Sequence, residues 1–338
     1  MIPYNTVQTV STSDFFREFE PSEESLEDIR ELVEEGFIQE TIDIIINEYL
    51  IPASDKYTAV MVDYLDEIDT GPLRDKELDK LTRNISILSI AFAAFMTGVF
   101  KSYIKAGYSE SIFGNAGIKD NELRKTIFNE VVQEFERLTS NTLSQTQGFI
   151  INSIRTLQRE MISENLLLKN SKMTGEALEQ EINRFKDSLR IKYPSIYKAI
   201  KSNNIITTIS FKDGTEISRH YKLDYYVDLV TRTTLLNVDR TANTISALVN
   251  QEPVVEFYLA DPRQVKKDRE ICQEILTNKV NGLSILAMDE ISARKLGVMT
   301  FEEAKSTPDY SFGPYCRHSV RRCSSEYLKS IEGLLNGN

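Results

Sequence analysis

Ile205-Ile206-Thr207-Thr208-Ile209-Ser210-Phe211, then Lys212-Asp213-Gly214, then Thr215-Glu216-Ile217-Ser218-Arg219-His220-Tyr221 is the stretch on which the fold turns. β-branched residues alternate with polar ones on either side of an Asp-Gly pair, the pattern of two strands joined by a tight turn. Pairing parity decides the loop length. A two-residue Asp213-Gly214 loop sets Ile209 opposite Ser218 and scatters apolar side chains over both faces. A three-residue loop with Gly214 left-handed sets Phe211 opposite Thr215, Ile209 opposite Ile217 and Ile205 opposite Tyr221. That gathers one apolar face, so the three-residue loop is expected.

Downstream, Asp224 is placed to cap a long helix with Val227, Val230, Thr234, Val238, Thr241, Ile245 and Leu248 on one stripe. Pro253 to Leu259 reads as a further strand, followed by a basic helix from about Arg263 to Thr277. Thr300 with Glu303 forms a capping box for a short helix at 301–306. Tyr310 to Cys323 reads as irregular and basic.

Upstream of the hairpin the chain reads as helix after helix. Ser22 with Glu23 and Glu24 opens a helix expected to reach Leu50, where Ile51-Pro52 should end it. Further helices are expected at about 57–68, 85–105, 121–139, 144–168 and 175–192. The fold class expected is therefore mainly α with a small α+β C-terminal domain: a helical N-terminal region followed by a hairpin–helix–strand–helix module. Three regions follow from this, an acidic helical head at 1–80, a helical region with a buried apolar helix at 81–200, and the α+β domain at 201–338.

The chain has 338 residues, 41% of them apolar and 27% charged, enough apolar matter to bury a core. Charge is unevenly placed. Residues 1–80 carry 21 Asp and Glu against 6 Lys and Arg, whereas the rest carries 30 against 34. A net charge of −11 disfavours a general nucleic-acid coat. The start of the chain lacks the basic and apolar pattern of a signal peptide. The most apolar of the long uncharged runs, Asn84 to Phe100, is 17 residues and includes Asn, two Ser, Thr and Gly. That is short of the roughly 20 apolar residues of a membrane span, so a buried core helix and no stable membrane insertion are expected.

No phosphate loop, dinucleotide glycine fingerprint or Gly-x-Ser-x-Gly elbow occurs. With two histidines, acid–base chemistry has few carriers, and His220 on the hairpin reads as a surface or interface residue. Cys272, Cys316, His318 and Cys323 are four soft donors in one small domain, a candidate zinc set without any Cys-x-x-Cys pair. Cys272, beside Ile271 and Ile275, equally fits a buried core position. Arg263, Lys266 and Lys267 on the basic helix, with Arg317, Arg321 and Arg322 near the end, are the candidate contacts for DNA phosphates or an acidic partner.

Three blocks in order resemble the C-terminal domain of tailed-phage minor capsid (head-morphogenesis) proteins, the group that includes the Mu F-like family. The first is the Asp213-Gly214 hairpin running into Tyr226-Val227-Asp228-Leu229-Val230-Thr231-Arg232-Thr233. The second is Val254 to Tyr258 followed by Asp268-Arg269-Glu270-Ile271-Cys272. The third is Phe312-Gly313-Pro314-Tyr315-Cys316-Arg317-His318, similar to the family's terminal Pro-x-Cys-Arg-His signature. The resemblance covers about residues 205–323. Two positions depart from it: the second cysteine often found after the position of Cys272 is absent, and Gly313 stands where a His precedes the Pro.

The resemblance implies a structural, non-enzymatic virion component, made in the host cytoplasm and built into the head near the portal. Its implied partners are the portal protein and the major capsid or scaffold protein, and proteins of this group can leave the capsid with the genome. The charge split adds packaged DNA as a partner, facing the basic C-terminal domain. Two other functions stay open on the residues alone: a zinc-dependent phage enzyme at the Cys/His cluster, with Glu270 or Glu274 as base, and a connector or tail adaptor. The hairpin itself can be tested. Gly214→Val forces a β-branched residue to positive φ and is expected to destabilise the C-terminal domain by about 1–2 kcal/mol. An unchanged melting temperature would rule out the left-handed loop.

Overall fold

A computed structural model of the chain describes residues 15–35, 37–66, 75–170, 175–177, 180–181, 183–184, 204–210, 216–260, 270–306, 316 and 318–337. It is mainly α-helical, with a small antiparallel sheet near the C-terminus, the class expected. The chain divides into two compact units, neither a single run of sequence. Met1–Ser22, Asp43–Val99 and Glu136–Asp228 make the first, and Glu23–Ile42, Phe100–Phe135 and Leu229–Asn338 the second.

Ile51-Pro52 does not end a helix. α1 spans Glu23–Glu34; α2, Ile38–Ile44, then passes through a π-helical turn, Ile45–Leu50, into α3, Ile51–Asp66. Proline lacks the N–H that an interior helical position donates. Here the widened turn before it, closed by Ile51 N–H donating to Ile46 O, takes up both the ring and the missing donor.

In the first unit, α4 (Asp75–Tyr103) begins well before the expected start near 85. Phe92 packs on Phe16 with ring centroids 5.3 Å apart and stacks on Tyr57 at 4.9 Å. The Tyr57 hydroxyl bonds Ser89 Oγ at 3.0 Å. By length and composition Asp75–Gly107 is the one helix among the described residues able to cross a membrane, and 56% of its most apolar window is buried in the protein. A core helix meets the same two criteria.

After α5 (Ser109–Asn115), α6 is one helix of 50 residues, Asn121–Asn170, where periodicity predicts two. Its polar middle does not break it because the hydroxyls bond within the helix. Thr139 Oγ1 donates to Glu136 O at 3.1 Å and Thr146 Oγ1 to Thr142 O at 2.9 Å. The helix expected at 175–192 lies largely outside the described residues. Strands β1 (Asn204–Ser210) and β2 (Glu216–Lys222) pair with Ile209 opposite Ile217 and Ile205 opposite Tyr221, the register of the longer loop. Gly214 itself lies outside the described residues. The hairpin runs directly into α7, Leu223–Val249.

The second unit contains the sheet. Its strands are β3 (Val254–Leu259), β4 (Lys279–Val280), β5 (Leu283–Ala287) and β6 (His318–Arg322), in the order β4-β5-β3-β6, antiparallel throughout. β6 corrects the expectation of an irregular end. It is read as polar because of its two arginines, yet Val320 pairs with Phe257 and is fully buried. β4 and β5 are joined by Asn281-Gly282, both at positive φ (46° and 90°), the geometry of a primed hairpin turn. Helices α8 (Glu270–Thr277), α9 (Glu290–Leu296), α10 (Phe301–Ser306) and α11 (Ser325–Asn336) complete the unit.

Val255, Phe257, Leu286 and Val320 bury one face of the sheet with Ile271 and Ile275 of α8, and Val254 and Ile285 bury the other with Tyr327 and Ile331 of α11. The capping box at α10 forms as expected: Glu303 N–H donates to Thr300 Oγ1 at 3.0 Å and Thr300 N–H to Glu303 Oε2 at 2.8 Å.

Asp289 caps α9, accepting from Ile291 N–H at 2.9 Å and Ser292 N–H at 2.8 Å. The Ser292 backbone bond, then its hydroxyl, holds this carboxyl below the ordinary range. A depressed folded value means the stabilisation is present above the unfolded pKa, near 3.9, and is lost as pH falls through the lower folded value. Asp289→Ala is expected to cost about 1 kcal/mol at neutral pH. In urea titrations the gap from wild type should close as pH drops below about 4. A gap independent of pH would show that the ionised carboxylate is not the cap.

Candidate metal centre

The site starts from helix α8. Its apolar residues Ile271 and Ile275 turn into the sheet, and Cys272 goes in with them, 1% exposed. Strand β6 supplies the rest. Alternate strand residues share a face, so Cys316 just before the strand, His318 at its start and Val320 all look toward the Phe257 side. The His318 ring stacks on Phe257 with centroids 4.9 Å apart and planes 12° from parallel.

Cys272 Sγ lies 3.9 Å from Cys316 Sγ, and Cys316 Sγ lies 3.6 Å from His318 Nδ1. One ligand atom from each residue falls within 4.8 Å of the other two, and all three residues are buried. This group can hold a metal ion. The hydrogen bond with Cys272 holds the Cys316 thiol well below its ordinary range; His318 and the Arg240 guanidinium add to this against the cost of burial. The thiolate so favoured is the form that binds metals.

Cys323 does not join them. It is an odd number of residues from His318 and Val320, so the pleat turns it to the opposite face of the sheet, among Val254, Ile285, Tyr327 and Ile331. Burial pushes its thiol up to about 12, with Glu256 and Glu252 adding to the rise. Three of the four sequence candidates thus converge and the fourth is a core residue.

Sequence reasoning missed the residue that frames the site. Arg240 of α7, 3% exposed, donates from Nε (3.0 Å) and Nη2 (2.6 Å) to His318 O, and from Nη2 to Cys316 O at 3.2 Å. Burial lowers its pKa to about 10, so it keeps its charge at neutral pH. Beside it, Asp239 Oδ2 accepts from the Ser319 hydroxyl and from Tyr258 OH at 3.4 Å. Burial raises the Asp239 carboxyl, and the Ser319 bond and Arg240 oppose that rise. The signal was a helical row Leu236, Arg240, Asn243, Ala247, buried throughout, with an arginine inside it.

The basic candidates are differently placed. Arg321 makes two 2.9 Å bonds to Glu256 and lies 5.0 Å over the Tyr258 ring. Arg322 donates from Nε to Glu252 Oε1 at 2.8 Å. Arg263, Lys266, Lys267 and Arg317 lie outside the described residues, and so does the side chain of His220, whose backbone pairs with Ile206. Glu274, a candidate base, is exposed on α8.

No family model, no curated protein and no solved structure matches the chain.

The division among the cysteines sets an experiment. Cobalt(II) added to the full chain is expected to give a thiolate charge-transfer band in wild type and in Cys323→Ser, and to lose it in Cys272→Ser and Cys316→Ser. A band that survives Cys272→Ser would remove α8 from the site.

Proposed function

We propose that this chain is a minor capsid, or head-morphogenesis, protein of a tailed phage, with a C-terminal module stapled by one structural zinc ion. One observation carries the reading. The blocks that bear the resemblance are separate in sequence, yet the soft donors of the second and third meet: Cys272 of one lies against Cys316 of the other, beside His318. Donors that meet from separate blocks support reading those blocks as one module.

The spacing supports zinc. A tetrahedral ion with sulfur at about 2.3 Å and nitrogen at about 2.0–2.1 Å puts two sulfurs about 3.8 Å apart and sulfur and nitrogen about 3.6 Å apart. Two of the three edges of the site measure 3.9 and 3.6 Å, and the third, Cys272 to His318, lies within 4.8 Å. Three protein donors are also the count of a catalytic zinc, and that favours the enzyme reading. Against it, the donors are 1%, 5% and 2% exposed, and Glu274 points to solvent. Burial of this kind suits an ion that holds chain segments together.

The partners follow from charge. The acidic first 80 residues fit a basic surface of the portal, with the major capsid or scaffold protein close by in the procapsid. Phosphate contact with packaged DNA falls to Arg263, Lys266, Lys267 and Arg317, because Arg321 and Arg322 are matched by Glu256 and Glu252. The reading places the protein inside the head near the portal, after synthesis in the host cytoplasm, and has it leave with the genome.

The experiment is co-purification of the tagged chain with the portal and major capsid proteins from cells assembling its own phage, with metal analysis of the same sample. Portal-dependent recovery in few copies, with one zinc per chain, is the expected result. A free monomer carrying zinc and indifferent to the portal would overturn the capsid role and move the search to metal-assisted chemistry. Rings without capsid association would mean a connector instead.

A further inference from the structure

We propose that Arg240 is the positioning residue of the Cys272–Cys316–His318 site, fixing two of its three ligands before an ion arrives. The inference rests on the metal reading above and concerns how the site is assembled. Among the described residues β6 is an edge strand of the sheet, with β3 as its only strand neighbour. The Arg240 guanidinium bonds both the His318 and the Cys316 carbonyls, and so spans the two ligand residues of this segment.

A planar guanidinium reaches two carbonyls at a fixed angle, which an ammonium on a flexible stem cannot do. The guanidinium is itself held: Nη1 donates to Asn237 Oδ1 at 2.6 Å, one turn back on α7. With both carbonyls fixed, the Cys316 and His318 side chains leave the strand on one face at a set spacing, and Cys272 comes to meet them from α8. Supporting groups of this kind are worth about 10–100-fold in metal affinity when they are removed.

The test compares wild type with Arg240→Lys, Arg240→Gln and Asn237→Ala as full chains. Zinc affinity is read by competition with a chromophoric chelator, site geometry by the cobalt(II) spectrum, and folding by circular dichroism of the metal-free protein. Arg240→Gln is expected to weaken zinc about 10–100-fold and to shift the cobalt bands, with Arg240→Lys restoring only part of the loss. Asn237→Ala, which leaves Arg240 in place but unheld, should move affinity the same way by a smaller factor. A folded Arg240→Lys with wild-type affinity and cobalt spectrum would overturn the proposal even if its melting temperature fell. If the Arg240 variants do not fold, unchanged affinity in Asn237→Ala would overturn it. Failure of wild type itself to take up metal would sink the metal reading, and this inference with it.

Discussion

Strand β3 must bury both of its faces, and the second unit is arranged around that demand. Val254 and Val255, neighbours in sequence, are each fully buried, one in either core. A strand with two apolar faces needs cover on both sides, which α8 and α10 supply on one and α11 on the other. Its partner strands inherit the parity. Because Phe257 faces α8, so must Val320 opposite it, and with Val320 go His318 and Cys316. The meeting of the donors with Cys272 is thus a consequence of register. A slip of one residue in the β3–β6 pairing would turn both to the other face and bring Cys323 toward α8 in their place.

Arg240 and Asp239, buried beside that sheet, are tolerated because they are matched. An arginine as buried as Arg240 carries a heavy desolvation cost unless its donors are taken, and carbonyls of the 316–318 segment and Asn237 take them. Asp239 sits next to it with Ser319, Tyr258 and Asn243 as donors. Removing one partner from such a set leaves the others buried and unmatched, so these residues are coupled in their effects. The exposed pair Arg294–Glu290 is of a different kind and contributes little.

How much of this is legible in the chain depends on whether the deciding signal is local. Hairpin register was readable because β-branched residues alternate on both arms and parity permits one coherent pairing. The Thr300–Glu303 box was readable because a cap is a four-residue event. Pro52 misleads, since a π turn can absorb a proline that an ordinary turn cannot. Thr139 and Thr146 mislead because hydroxyls that bond inside a helix look, in sequence, like those that end one. The stripe on α7 holds for Val227, Val230, Thr234 and Val238, then drifts: Leu248 is exposed while Arg240, Asn243 and Ser246 are buried. An apolar pattern cannot find a buried face made of polar residues. Asn281-Gly282 was the overlooked case, a strong local turn signal between two very short strands. In the site, three donors were legible by residue type, whereas the exclusion of Cys323 depends on strand parity near the chain's end, where no alternation advertises a strand.

A metal at this site would bind the folded chain and not the unfolded one, so its binding free energy would add to the stability of the module. Cys272 and Cys316 are 44 residues apart, and the intervening chain includes β4, β5, α9 and α10. One of the four strands, β4, is only two residues long. A sheet so small has little ladder of its own, so a clip joining α8 to the start of β6 would fix where the last strand docks.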